Sequence, residues 1–199
     1  MLIFIVMIGI TSIISITDDT QDEPLVSNES TIVYVRNEYL PYWADIDQDC
    51  QDTRQEVLIS ESKIEVGLNE SGCKVISGSW LDPYTGEIFE NPSELDIDHV
   101  VPLYEAHFSG AMEWAQDHKR QYSNDLSNPN TLIAVHNGAN RSKGSSDPAN
   151  WMPPNNAFHC EYITMWIDVK SQFNLEMDER ESNFIENKLE ECAAQQSPR

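Results

Sequence analysis

Leu95-Asp-Ile-Asp-His-Val-Val-Pro-Leu103 (LDIDHVVPL) is the stretch on which the fold turns. Apolar residues alternate with acids and give way to Pro102, which cannot donate to a ladder, so residues 95–103 read as a strand ended by the proline. Further on, Leu132-Ile-Ala-Val135 reads as a short buried strand, and Asn140-Arg-Ser-Lys-Gly144 opens a turn or helix. Between the two strands, Ala111, Ala115, His118 and Tyr122, with Trp114 alongside, mark a helical stripe. This order brings His99, Asp98 and Asn140 together on a strand–strand–helix unit. An Asp-His pair alone is weak evidence, since a histidine beside an acid is usually a satisfied structural pair. The full order is what gives it weight. In a regular strand Asp98 and His99 point to opposite faces. Both can serve one substrate only if the strand breaks into a loop there, and Asp96 is the fallback to Asp98.

Outward from this unit, Thr31–Val35 and Val75–Trp80 read as strands, with Asp82-Pro-Tyr-Thr-Gly86 as turn chemistry leading to a partner near Ile88. Phe158, Tyr162, Trp166, Val169 and Phe173 line one face of a helix. Asp178 with Glu181 forms a capping box for a last helix carrying Ile185, Leu189 and Cys192. The expected fold is α+β: one mainly helical domain over residues 31–195 with short antiparallel strands and no internal repeat.

Met1–Ile16 holds no charged side chain and is short for a membrane span. It reads as a secretory signal over residues 1–17, with a retained anchor as the alternative, followed by a polar linker over 18–30. Cys50, Cys73, Cys160 and Cys192 contain no C-x-x-C, which argues against a zinc knuckle or redox pair. In an oxidising compartment they make two disulfides in one of three connectivities. The local pairing, Cys50 with Cys73 and Cys160 with Cys192, would staple the last two helices together.

The 199 residues hold 12 Lys plus Arg against 34 Asp plus Glu, a formal charge of −22. At 40% hydrophobic residues the chain is a folded protein rather than an acidic disordered tail. The charge argues against a broad basic nucleic-acid footprint. Asp45, Asp47 and Asp49 form a D-x-D-x-D array with Glu56 at position twelve of a calcium-type loop, but Cys50 stands where such a loop wants glycine. A solvated acidic loop is the favoured reading there.

The motifs together resemble the HNH (His-Me finger, ββα-metal) endonucleases, and more narrowly a branch of secreted bacterial HNH proteins with D-I-D-H-V-V-P-L and N-R-S-K-G. Trp43-x-Asp-x-Asp, Cys50-x-x-Thr-Arg54, Ser77-Gly-x-Trp80-x-Asp-Pro-Tyr-Thr-Gly86, Asn124-Asp-Leu, Asp147-Pro-Ala-x-Trp151 and Cys160-x-Tyr162 extend the likeness over roughly residues 34–192. The middle Asn of the family pattern falls near Thr131, where Asn128 or Asn130 would do the bracing, and the last letter is Asn140 rather than His.

The resemblance implies His99 as general base, suited by an imidazole pKa near neutrality. It implies Asp98 and Asn140 as ligands of a divalent ion, Mg²⁺ first and Mn²⁺ second. Arg120, Arg141 and Lys143, with Lys119, are the expected phosphate contacts. Arg54 either reaches the substrate or pairs with a nearby acid. Tyr84 and Trp151 stack on bases or, the favoured reading, pack structurally. His107, His118, His136 and His159 are expected as ordinary surface or core residues.

The implied activity is hydrolysis of DNA, with RNA as a second substrate, at low sequence specificity and leaving a 5′-phosphate. Stable membrane association after signal removal is not expected, and no signal sets an oligomeric state. The competing readings are an exported calcium- or protein-binding module on the same scaffold, and an antibacterial nuclease toxin. Four of the basic residues lie in or beside the finger, so the expectation is a locally neutralised site on an acidic body with weak substrate affinity.

Overall fold

The computed structural model describes residues 33–196. The expected signal and linker, and Thr31 and Ile32 of the first expected strand, lie outside them. The elements run α1 (Arg36–Tyr39), α2 (Thr53–Glu61), β1 (Gly67–Leu68), β2 (Val75–Ser77), β3 (Trp80–Leu81), β4 (Ile88–Phe89), β5 (Leu95–His99), α3 (Leu103–Phe108), α4 (Gln116–Ser123), β6 (Leu132–His136), α5 (Asn137–Lys143), α6 (His159–Gln172) and α7 (Glu179–Gln196). Consecutive strands pair antiparallel into three two-stranded sheets.

The β5–β6 ribbon is the longest strand pairing among the described residues, in register from Leu95↔His136 to His99↔Leu132. Strand alternation sends Leu95 and Ile97, with Leu132 and Ala134, into a core shared with Val57 and Leu58 of α2, Val75 and Trp80. Ile133 and Val135 face the larger core of Tyr84, Tyr122, Tyr162, Trp166 and Val169. A two-stranded ribbon cannot stand alone in water, and here both its faces are covered. Asn137 begins α5 directly after β6, so the helix folds back against the ribbon.

Three local expectations are corrected, and one condition raised by the sequence is not met. Val33–Val35 form no strand: Val33 and Val35 are exposed, and without a neighbouring strand their β-branched side chains have nothing to pack on. The expected Val75–Trp80 strand splits in two at Gly78, where a Cβ would sit 2.4 Å from the Trp80 ring, and Trp80 turns inward to donate its indole N–H to Leu58 O at 2.7 Å. The Ala111 stripe breaks at Trp114 into a 3-10 turn (Ala111–Glu113) and α4. The strand also does not open into a loop at Asp98–His99: pairing runs through His99, Val100 N still reaches Thr131 O at 3.1 Å, and Pro102 then caps α3.

Both local disulfides are formed, Cys50–Cys73 and Cys160–Cys192. The second joins the start of α6 to the end of α7 as expected. At the other end of the helix pair a buried polar cluster has Lys170 Nζ meeting Glu181 Oε2 at 2.8 Å and Glu105 Oε1 at 2.7 Å. Glu181 is therefore committed inward, also accepting from the Trp166 indole, and the capping box is one-sided. Asp178 Oδ1 accepts from Glu181 N at 2.7 Å, with no return bond from Glu181 to the cap.

Candidate active site

Asp96 and Asp98 lie on the face of β5 that α5 covers, and the helix answers each with a residue one turn apart. Asn140 Nδ2 donates to Asp96 Oδ2 at 3.1 Å, and Lys143 Nζ donates to Asp98 Oδ2 at 2.6 Å. Lys143 also donates to His99 O at 2.7 Å, so one ammonium grips the Asp98 side chain and the adjoining backbone. Tyr84, fully buried at the end of the Asp82–Tyr84 turn, donates its hydroxyl to the same Asp98 oxygen at 2.6 Å. Burial pushes the Asp98 carboxyl up and the Lys143 amine down, and the contact between them pulls against both shifts. Asp98 Oδ1 accepts no such bond. Asp98 as a whole is 6% exposed, and its Oδ1 is not among the sealed, unpartnered side-chain atoms, which among the described residues are His107 Nε2 and Tyr162 Oη.

His99 projects to the opposite face. Its Nε2 lies 3.0 Å from Ser123 O at the end of α4, and the Trp43 ring stacks on it at 5.7 Å and 10°. A carbonyl only accepts, so Nε2 carries the proton and Nδ1 the lone pair. No donor among the described residues takes Nδ1, and the residue as a whole is buried at 6% exposure. Burial lowers the His99 pKa to about 3, so the ring is neutral throughout the ordinary pH range.

The structure brings together Asp98, Lys143 and Tyr84, and separately Asp96 with Asn140. The fallback carboxylate, not Asp98, is the one touching Asn140. Lys143 is corrected: it is buried at 1% exposure with its ammonium turned inward onto Asp98 Oδ2 and His99 O, out of reach of a phosphate. Arg54 is corrected likewise, because its guanidinium ties the carbonyls of Pro92 and Leu95 at 2.9 and 3.0 Å and so fixes the start of β5. Lys119 is paired with Glu38 at 2.7 Å. Among the described residues Arg141 and Arg120 remain exposed without an acid partner, Arg141 reaching Asn137 Oδ1 at 2.9 Å. The basic footprint is thus half of what the sequence promised.

Thr131 braces the finger in its own way, donating Oγ1 to Asp125 Oδ2 at 2.8 Å, while Asn128 and Asn130 both turn to Asp168. Tyr84 and Trp151 pack edge to face at 5.1 Å, which agrees with the structural reading. Tyr84 as the orienter of Asp98 was missed, since no spacing rule links a turn tyrosine to a strand fourteen residues on. His107 is buried against Tyr39, His118 and His136 stack on Trp114 and Phe89, and His159 bonds Pro153 O. The carboxylates of Asp45, Asp47 and Asp49 converge within 4.8 Å but are all exposed. Cys50 makes the sharp turn there at φ 77 without glycine.

No helix among the described residues is long and apolar enough to cross a membrane. No solved structure matches the chain. A protein of Arthroderma benhamiae described as an uncharacterized secreted protein is 39% identical over 160 residues, covering 80% of this chain and 76% of the relative. With both disulfides formed, that relative marks this chain as an exported protein. The family model described as "GmrSD restriction endonucleases, C-terminal domain" matches residues 49–187, from the acidic loop through β5, β6 and α5 into α7. On that match, which takes in the whole strand–strand–helix unit and its Asp98-His99 and Asn140, the chain belongs to the HNH-type family of GmrSD restriction endonuclease C-terminal domains.

Proposed function

We propose that this exported protein is a metal-dependent endonuclease that hydrolyses DNA, and RNA as a second substrate, with little sequence preference. The observation that carries the reading is His99: a neutral imidazole whose proton is held at Nε2 by Ser123 O, leaving the Nδ1 lone pair without a donor among the described residues. Such a nitrogen is set to take a proton from an attacking water. Its low pKa makes it a weak base, suited to a water already acidified. Because His99 and Asp98 stand on opposite faces of the ribbon, this chemistry requires β5 to open at Asp98–His99 when substrate binds, so that base and carboxylate reach one phosphate.

The donors on the Asp face fit a hard divalent ion. Asp98 offers Oδ1, Asn140 its carboxamide oxygen, and Asp96 stands beside Asn140. All are oxygens, with no thiolate or imidazole, which favours Mg²⁺ or Mn²⁺ with water completing the shell. When bound, the ion supplies Lewis acidity, lowering the pKa of water and offsetting charge on the leaving 3′-oxygen. Tyr84 and Lys143 fix the Asp98 carboxylate by its other oxygen, so its orientation is set before substrate arrives. Arg141, one residue beyond Asn140, and Arg120 on α4 are the exposed guanidinium groups for the phosphates. The weak basic footprint limits affinity rather than chemistry.

Nicking of supercoiled plasmid by purified protein, across a panel of Mg²⁺, Mn²⁺, Ca²⁺ and chelator, tests this. Wild type should nick with Mg²⁺ or Mn²⁺, and His99→Ala and Asn140→Ala should not. Wild type behaving like His99→Ala under every metal sinks the proposal.

A further inference from the structure

We infer that Trp43 is a positioning residue for His99, holding the imidazole in the pose in which Nδ1 meets the attacking water. This rests on the hydrolytic reading of His99 above. One hydrogen bond, Nε2 to Ser123 O, fixes the tautomer but leaves the ring free to swing about that bond. The indole removes this freedom by lying parallel to the imidazole at 5.7 Å, while Tyr122 closes from another side at 6.0 Å and 37°.

The loop that carries Trp43 is fastened to Ser123, which holds the base, and to its neighbour Asn124. Asn124 Oδ1 accepts from Ala44 N at 2.8 Å and lies 3.0 Å from Thr53 Oγ1. Thr53 N closes the loop on Ala44 O at 2.7 Å, and Ser123 Oγ donates to Tyr39 O. Ser123 therefore orients the imidazole edge through its carbonyl, and Asn124 pins the residue next to the ring that covers its face. The Cys50–Cys73 disulfide ties down the far end of the same loop. Trp43 and Thr53 stand out in the sequence ahead of the finger and Asn124 in the connection between its strands, and this arrangement gives all three one task. Trp43 is only half-buried and packs against both hydrophobic clusters, so plain packing is the competing account.

The test compares wild type, Trp43→Leu, Trp43→Phe and His99→Ala. Leucine keeps apolar bulk without a ring face, and phenylalanine keeps a smaller ring. Steady-state cleavage of a labelled oligonucleotide with Mg²⁺ gives kcat and KM, melting temperature reports the fold, and NMR of the imidazole protons without metal reports the stack. Trp43→Leu should lower kcat about tenfold to a hundredfold with KM within about threefold, since a small misplacement of a catalytic group costs on that scale. Trp43→Phe should keep kcat within about threefold of wild type. The His99 ring protons should move downfield in Trp43→Leu as they leave the indole ring current. Wild-type kcat in Trp43→Leu, a loss confined to KM or to melting temperature, or unmoved His99 resonances would overturn the assignment. Wild type inactive with every metal would overturn the hydrolytic reading and the catalytic role built on it, while the His99 resonances still report on the stack itself.

Discussion

Replacing Lys143 with methionine separates two roles for that residue sharply. A phosphate-binding lysine would be dispensable for folding, and its loss would raise KM alone. The structure instead seals the ammonium at 1% exposure, 2.6 Å from Asp98 Oδ2 and 2.7 Å from His99 O. Methionine fills nearly the same volume, so the change removes the charge and its hydrogen bonds rather than opening a cavity. Asp98 is then left largely buried with only the Tyr84 hydroxyl on that oxygen. Breaking a buried pair on one side costs about 3–5 kcal/mol. That is a large share of the roughly 5–15 kcal/mol that holds a typical domain, and in melting temperature it is a drop on the order of 10 °C. The assay is urea denaturation at pH 7 in chelator, followed by tryptophan fluorescence, on Lys143→Met, Asp98→Asn and the double variant. Because a neutral carboxamide in place of the Asp98 carboxylate no longer needs a cation, the double variant should recover most of the loss. Lys143→Met within about 1 kcal/mol of wild type, or a double variant no better than the single, would refute the buried clamp.

Three further outcomes follow from particular contacts. Glu61 accepts from Ala134 N at 2.9 Å, and burial raises its pKa to about 7, against about 4.3 in the unfolded chain. The folded state thus keeps a proton that the unfolded state releases, and stability falls as pH rises through roughly 4 to 7, by up to about 4 kcal/mol. Glu61→Gln should flatten that dependence in denaturation at pH 5 and 8; an unchanged slope rejects it. Tyr84→Phe keeps the buried ring but drops the bond to Asp98, so it should lose about 1–2 kcal/mol by calorimetry and slow metal-dependent cleavage; full activity would show that Asp98 needs no orienting hydroxyl. Removing Cys160–Cys192 by double serine substitution opens a loop of 32 residues and should cost about 3–4 kcal/mol in the loop-entropy view, with cleavage at 25 °C retained; an unchanged melting temperature contradicts it.

Much of the architecture was legible because it is local. LDIDHVVPL and LIAV carry strand periodicity, and the structure pairs them from Leu95↔His136 to His99↔Leu132. The aromatic ladder from Phe158 to Phe173 reads as a helix, and α6 spans His159–Gln172. The opposition of Asp98 and His99 was legible too, from strand alternation alone, and it holds because no break occurs. Thr31–Val35 misled because β-branching records a preference for a pleated neighbour, and residues 33–35 have none. Lys143 misled for a similar reason: in sequence it is one cation of N-R-S-K, indistinguishable from Arg141 two places earlier. Helical geometry then turns Arg141 to solvent and Lys143 onto the ribbon.

By itself the sequence determined the order of strands and helices, the family and the identity of the chemically able side chains, because those depend on period and on residue type. Tertiary structure alone decided which of them are free to act. Docking α5 on the Asp face consumed Lys143 and joined Asn140 to Asp96, and the Asp82–Tyr84 turn delivered a hydroxyl to Asp98. Docking α4 on the other face supplied Ser123 O to His99 and anchored the loop that lays Trp43 across it. Desolvation and hydrogen-bond pairing are properties of three-dimensional neighbours, and no spacing along the chain encodes who those neighbours are.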